Sequence, residues 1–474
     1  MQSYIKSLTS FILLLLAIAL SILIVYSSVF TDLNDLVTTY NKNVKLNSIS
    51  NFNSFLSEEK LSSKFASNSY IFSPIDYKLN LINYQNQITL KNSKRLQKKE
   101  DTSYNINNYL NINNNETTLL SALNQSNIIP ATNYLRENAT ILMLVRNWEL
   151  PSALASIRTL EDRFNKNYNY PWTFLNDEPF TQEFIDATSL ATSGETQYGI
   201  IPQVDWNIPH WINLTKFEQN INDSIHNNII YGFSKSYRNM CKFNSGYFMR
   251  QELLQNYEWY FRVEPDVNYF CNFNYDPFKL MKNLNKKYGF IVSIYDYQNT
   301  IPTLWDTTME FFTTGNNSNY LAKDNSYKFL TDNSLIGTSV TVQTNSTSDY
   351  NLCHFWSNFE IANLNFFRSK PYQEFFNYLN QKGGFYYERW GDAPVHSIAV
   401  GLLLNKSEIH HFDDIGYYHP PFNSCPSSNI LRLVKNCQCN VNDENNIDTK
   451  PHSCLSKWWK FGGGKYFMQY DSNQ

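Results

Sequence analysis

Glu264 and Asp266 flank Pro265 within an aromatic, β-branched stretch, residues 257–270 (YEWYFRVEPDVNYF). Side chains of this kind favour a buried strand. Proline has no amide N–H and cannot extend a central ladder, so the strand is expected to stop at Pro265. Two carboxylates then stand at a strand's C-terminal end, where open α/β sheets bind their ligands. Hard divalent cations take oxygen ligands, and a cation held there can carry a diphosphate. The plainer alternative is a solvated acidic turn, the commoner fate of such a pair.

A strand ending in chemistry needs a sheet around it. Residues 139–145 (ATILMLV) form a compact apolar run ending in Arg146 and Asn147, as expected of a buried parallel strand with polar groups at its tip. A helix is expected over 153–164 and a second strand over 171–175, ending in Asn176, Asp177 and Glu178. This strand–helix–strand rhythm implies a parallel sheet with right-handed crossovers. Residues 288–295 (YGFIVSIY) and 398–404 (IAVGLLL) supply further buried segments, the second of them helical. Everything from residue 133 to 474 reads as one large α/β domain.

The N-terminal part differs in kind. Residues 1–7 are a short polar head with one charge, Lys6, and residues 8–30 carry no charge at all. At ~1.5 Å per residue that run reaches about 34 Å, enough to cross a bilayer core of ~30 Å. Its length favours an uncleaved signal anchor over a cleaved signal peptide, with the bulk of the chain lumenal. Residues 31–132, rich in Asn, Ser, Lys and Tyr and without sustained periodicity, read as a stem. Asn-x-Ser/Thr sequons at Asn115, Asn124, Asn138, Asn213, Asn222, Asn316, Asn345 and Asn405 accord with a secretory route, although an Asn-rich chain also makes them by chance.

The totals exclude some classes. A net charge of −3 over 474 residues leaves no electrostatic footprint for nucleic acid. Seven cysteines, none in the N-terminal third, point to disulfides of undecided pairing with one thiol left over. No Walker-type loop, G-x-G-x-x-G, H-E-x-x-H or G-x-S-x-G is present. Gly462, Gly463 and Gly464 read as a turn rather than a phosphate cradle.

Long ordered blocks now carry a resemblance: residues 138–150, 161–181, 236–248, 259–267, 288–306, 351–369, 386–400 and 411–426. In this order they closely resemble the fungal Golgi α-1,2-mannosyltransferases, family 15 of the glycosyltransferases, over roughly residues 133–474. The resemblance implies a single GT-A-type catalytic domain with a Rossmann-like mixed sheet flanked by helices. It also implies GDP-mannose as donor, Mn²⁺ as cofactor, and transfer of α-mannose with retention to the 2-hydroxyl of a mannose. The acceptors implied are mannose-terminated O- or N-linked glycoprotein glycans, and the location is the Golgi membrane. Mannosylphosphate transfer, another linkage, or a non-catalytic mannan-binding relative are the competing readings.

The resemblance also implies roles residue by residue. Glu264 and His419 match metal ligands, and Asp266 belongs to the same acidic motif on the diphosphate. Glu360 matches a glutamate proposed as nucleophile; its alternative is a helix-start carboxylate. Tyr237 matches a tyrosine at the donor–acceptor site. Arg238 beside it is a phosphate contact or a core ion pair. Asp392 is a candidate for holding or deprotonating the acceptor hydroxyl, with Glu388 its neighbour and a helix N-cap its competitor. Arg146, at the first strand's tip, is expected on the guanosine or its phosphates. His410 and His411 are assigned structural roles.

Overall fold

The computed structural model describes residues 134–333 and 349–464. The expected anchor (8–30) and stem (31–132) lie outside the described residues. Among the described residues no helix is long and apolar enough to cross a membrane.

The apolar run at 139 forms strand β1 (Ala139–Leu144), and it pairs in parallel with β2 (Trp172–Asn176) and β4 (Trp259–Arg262). β3 (Thr196–Ile200) extends this parallel half beyond β2. On the other side β9 (Glu360–Asn363) runs antiparallel between β4 and β6 (Tyr288–Phe290), and β10 (Ile409–His411) closes the edge. The seven-stranded order is β10-β6-β9-β4-β1-β2-β3. The sheet is therefore mixed, and the parallel rhythm read from the sequence describes only the half containing β1–β4.

Alternation along the strands sorts the two faces. Ile141 and Met143 pack with Trp172 and Phe174 on one face, covered by helix α1 (Leu150–Arg163) through Ala153, Ile157 and Leu160. Pro151 sits in the first turn of α1, where a missing N–H costs nothing. Leu142 and Tyr260 face the other way, into a second core. Helices packing on that core include α2 (Lys235–Gly246), α3 (Lys370–Lys382) and α4 (Asp392–Leu403). Ser234 caps α2 by accepting from the Tyr237 amide, 3.1 Å away.

One expectation needs correction. The aromatic strand ends at Arg262 rather than Pro265. The chain then turns through Asp266, whose φ of 64° is left-handed, into β5 (Asn268–Tyr269). The buried segment 288–295 supplies two strands: after β6 the chain enters β7 (Ser293–Tyr295), which pairs with β8 (Cys353–Phe355) in a separate small sheet. A third sheet holds β5, β11 (Tyr417–His419) and β12 (Phe422–Ser424). Disulfides join Cys271 to Cys437, Cys353 to Cys454 and Cys425 to Cys439, leaving Cys241 as the odd thiol, buried.

Candidate active site

The C-terminal ends of β1, β2 and β4 open into a cavity of about 300 Å³. The strand tips contribute Arg146, Asn176, Asp177, Glu264 and Pro265; α2 contributes Tyr237, Met240 and Asn244; Glu360 and His396 form the floor. This is where a parallel half-sheet leaves a crevice for ligands.

Arg262 organises the sheet side. Its Nη1 donates to Asp392 Oδ2 at 2.6 Å, and its Nε and Nη2 donate to Glu264 Oε1 at 3.1 and 2.5 Å. Antiparallel register sets it opposite Glu360, with Nη1 3.9 Å from Glu360 Oε2. Burial works to lower the guanidinium's pKa, and the carboxylates around it overcome that and hold it well above the usual value. Burial likewise works to raise Glu264, but Arg262 and His419 hold its carboxyl down at about 2. Glu264 is therefore a fixed anion.

The other oxygen of Glu264 meets His419. Oε2 lies 3.5 Å from His419 Nε2, although Glu264 follows β4 of the large sheet and His419 ends β11 of a small one. His419 ends β11 with its ring edge-on to Trp356, the centroids 4.7 Å apart, and its Nδ1 is 2.9 Å from the Pro420 carbonyl. A carbonyl oxygen only accepts, so Nδ1 carries the proton and Nε2 is free for a second proton or a metal. An anionic oxygen and an imidazole nitrogen facing each other are a donor set that suits Mn²⁺. Among the described residues no group of three or more His, Cys, Asp or Glu side chains is arranged to hold a metal ion. A cation here would thus take two protein ligands and share its remaining positions with phosphate and water.

The other expected residues divide. Glu360 is buried at the start of β9, not at a helix start; it accepts from Tyr260 Oη at 2.8 Å and Tyr288 Oη at 2.7 Å. Tyr237 lines the cavity wall. Its hydroxyl accepts from Arg389 Nη1 at 3.2 Å, and burial pushes its pKa well up, so it stays a phenol. Arg146 lines the cavity at the tip of β1 and donates to Ser236 Oγ.

Arg238 is corrected: it does not line this cavity and, among the described residues, makes no ion pair. It is fully buried, donating to the carbonyls of Gly232, Phe385 and Tyr386 and to Asn220 and Ser224. Tyr237 faces the cavity, and one helical step of ~100° turns Arg238 into the core. Asp392 is also corrected. Gly391, not Asp392, is the N-cap of α4, and the buried Asp392 carboxylate is committed to Arg262 and to Ser357 Oγ at 2.9 Å, behind the cavity wall. Asp266 is exposed, has a left-handed φ of 64°, and does not line the cavity. Glu388 accepts from Thr303 and the Trp390 indole.

His410 and His411 hold structural positions in β10. Burial lowers the His410 pKa to about 3, so it stays neutral, and His411 Nε2 meets the Ile291 carbonyl at 2.9 Å. Arg262, Asp177 and His396 were given no role from the sequence. Strand alternation puts i and i+2 on one face, so Arg262 beside Glu264 was the available signal.

Residues 86–463 match the family described as glycolipid 2-alpha-mannosyltransferase. A probable mannosyltransferase of Saccharomyces cerevisiae, YUR1, is 58% identical over 341 residues, 72% of this chain and 79% of the relative. The O-glycoside alpha-1,2-mannosyltransferase homolog 3 of Schizosaccharomyces pombe is 49% identical over 68% of this chain and 82% of the relative. Among solved structures, core-mannan synthase A of Aspergillus fumigatus in its Mn/GDP form aligns with a TM-score of 0.65 at 39% identity, covering 72% of this chain and 90% of that one. The S. cerevisiae mannosyltransferase Ktr4p in complex with GDP aligns at 0.62 and 34% identity, covering 78% and 94%.

Proposed function

The chain belongs to the glycolipid 2-alpha-mannosyltransferase family, glycosyltransferase family 15, and from that premise we propose how its cavity works. The protein is an α-1,2-mannosyltransferase that uses GDP-mannose. It places mannose on the 2-hydroxyl of an acceptor mannose with retention of configuration, within a GT-A-type domain. The acceptors are mannose-terminated O- or N-linked glycoprotein glycans. The uncharged run 8–30 serves as a signal anchor of a type II Golgi membrane protein, with residues 31–132 as stem and the catalytic domain lumenal.

One observation carries the reading: Glu264, just past the end of β4, and His419, at the end of β11, meet with Oε2 and Nε2 3.5 Å apart. These two side chains would hold the divalent cation, Mn²⁺. When bound, it neutralises charge on the departing diphosphate. Arg262 keeps Glu264 ionised and oriented, and Asp392 in turn orients Arg262. Arg146 presents its guanidinium at the tip of β1, where phosphate oxygens are within its reach. Glu360 fixes negative charge at the floor, where it stabilises positive charge developing on the transferred sugar. Tyr237 offers a phenol to a sugar hydroxyl or the leaving phosphate.

The test is incubation of the full-length protein with GDP-mannose, Mn²⁺ and α-methyl mannoside, followed by linkage determination. An α-1,2-linked disaccharide is expected, with no product from a folded Glu264→Ala protein. Another linkage, or full activity in that variant, contradicts the assignment.

A further inference from the structure

The floor of the cavity contains a residue whose role the reaction does not yet explain. His396, on α4, and Glu360 are both almost wholly buried. The His396 Nδ1 is 2.6 Å from Glu360 Oε1, and its Nε2 is 2.9 Å from the backbone carbonyl of Asn244 on α2. The carbonyl can only accept, so Nε2 must donate. Nitrogen and carboxylate oxygen at 2.6 Å cannot face each other with two lone pairs, so a proton lies between Nδ1 and Oε1 as well. Ring and carboxyl together therefore carry one proton more than a neutral imidazole beside a bare carboxylate.

Donors around Glu360 decide which partner bears the charge. Burial, and then Glu360 itself, push the phenols of Tyr260 and Tyr288 well above their ordinary values, so both remain O–H donors to the two carboxylate oxygens. The Arg262 guanidinium stands 3.9 Å away. Two donors and a nearby cation favour an anionic carboxylate, and so the proton sits on the ring. Phe248, Phe367 and Tyr372 enclose the imidazole, with ring centroids at 6.1, 4.9 and 6.2 Å, leaving Glu360 and Asn244 as its hydrogen-bond partners.

We propose that His396 is a positioning residue for mannosyl transfer: as an imidazolium it donates its Nδ1 proton to Glu360 and fixes that carboxylate as an oriented anion at the cavity floor. This rests on the reading of Glu360 as the charge that stabilises the transferred sugar. Asn244 couples the device to the helical wall, because its carbonyl holds the far side of the ring. His396 touches neither the cation site nor Arg146, so its loss acts on turnover and spares donor binding.

The variants separate the two ring nitrogens. An asparagine amide reproduces the Nδ1 donor, whereas a glutamine amide reproduces Nε2 and abandons Glu360. His396→Gln is expected to lower kcat on the order of 10²-fold, with KM for GDP-mannose and GDP affinity in Mn²⁺ within about 2-fold of wild type. His396→Asn should restore most of that loss. Nitrogen-15 NMR of the full-length protein labelled at histidine gives an activity-independent readout. It should show both His396 nitrogens protonated in the wild type and only one in Glu360→Gln.

A wild-type ring with an unprotonated Nδ1, or unchanged kcat in folded His396→Gln, overturns the proposal alone if Glu360→Gln is inactive. Near-normal turnover in Glu360→Gln overturns the reading of Glu360 and the proposal with it. Should His396→Gln fail to fold, the wild-type spectrum and His396→Asn decide: an imidazolium and retained turnover support the role, and either result missing refutes it.

Discussion

Two buried arginines, Arg262 in the sheet wall of the cavity and Arg238 in the core behind the helical wall, have surroundings that differ in kind. On the sheet wall, Arg262 is gripped by the carboxylates of Glu264 and Asp392, with Glu360 nearby. Behind the helical wall, Arg238 donates to neutral oxygens, mainly backbone carbonyls, and lies over the Phe217 ring, and burial, aided by the nearby Arg389 charge, lowers its pKa to about 10. A guanidinium surrounded by carbonyls pins loops together. One surrounded by carboxylates keeps anions charged and aimed in a place that water barely reaches, as a cation site requires. The sheet wall is built for chemistry, and the helical wall is built to hold its shape.

Substitutions at the two arginines should expose that difference. Arg262→Met leaves buried carboxylates without their cation and should cost about 3–5 kcal/mol of stability at neutral pH, read from denaturant unfolding. Adding Asp392→Asn should recover part of the loss. Arg238→Met strands acceptors but no charges, and its cost should be smaller, about 1–3 kcal/mol. Equal costs, or no rescue by Asp392→Asn, would erase the distinction between the walls.

The walls should also answer pH in different windows. Glu264, at about 2 in the folded protein against ~4.3 in an unfolded chain, contributes stability that is fully present above the unfolded value. That contribution is lost as pH falls toward 2, and Glu264→Gln should flatten this acid limb. On the helical wall, burial lowers the Lys242 ammonium to about 7, with Asp205 opposing, while its Nζ donates to the Trp206 and Asn207 carbonyls. The unfolded chain then binds more protons between about pH 7 and ~10.4, so stability rises with pH across that window. Lys242→Met should remove the rise in melting temperature measured between pH 7 and 9. The smallest effect belongs to Asp266. Exposed and outside the cavity, Asp266→Asn should change stability by less than about 0.5 kcal/mol and leave mannosyl transfer close to wild type.

Much of the parallel half-sheet is legible from residue types alone. The run at 139, the amphipathic segment after it and the strand at 171 appear within a few residues of their observed limits, because buried strands and a 3.6-period helix write themselves into the sequence. β9 does not, since four residues beginning with a glutamate carry no strand signal. It is a strand because its Glu360 finds Arg262, Tyr260 and Tyr288 across the sheet. Glu264 and His419 came from ordered blocks of resemblance, and the geometry brings them together. Arg238 and the N-cap reading of Asp392 fail for a local reason: adjacency to a cavity residue, or to a helix start, does not say which way a side chain turns. Asp392 sits one residue inside its helix and is drawn to a guanidinium that lies on a distant strand.

The central claim is that Glu264 and His419 together hold a cation that carries the diphosphate of the donor. Calorimetric titration of GDP into the full-length protein, with and without Mn²⁺, tests it most directly. Binding should need Mn²⁺ and should weaken at least about 10-fold in a folded His419→Ala protein. GDP affinity that is the same with and without Mn²⁺, and untouched by that substitution, would contradict the account.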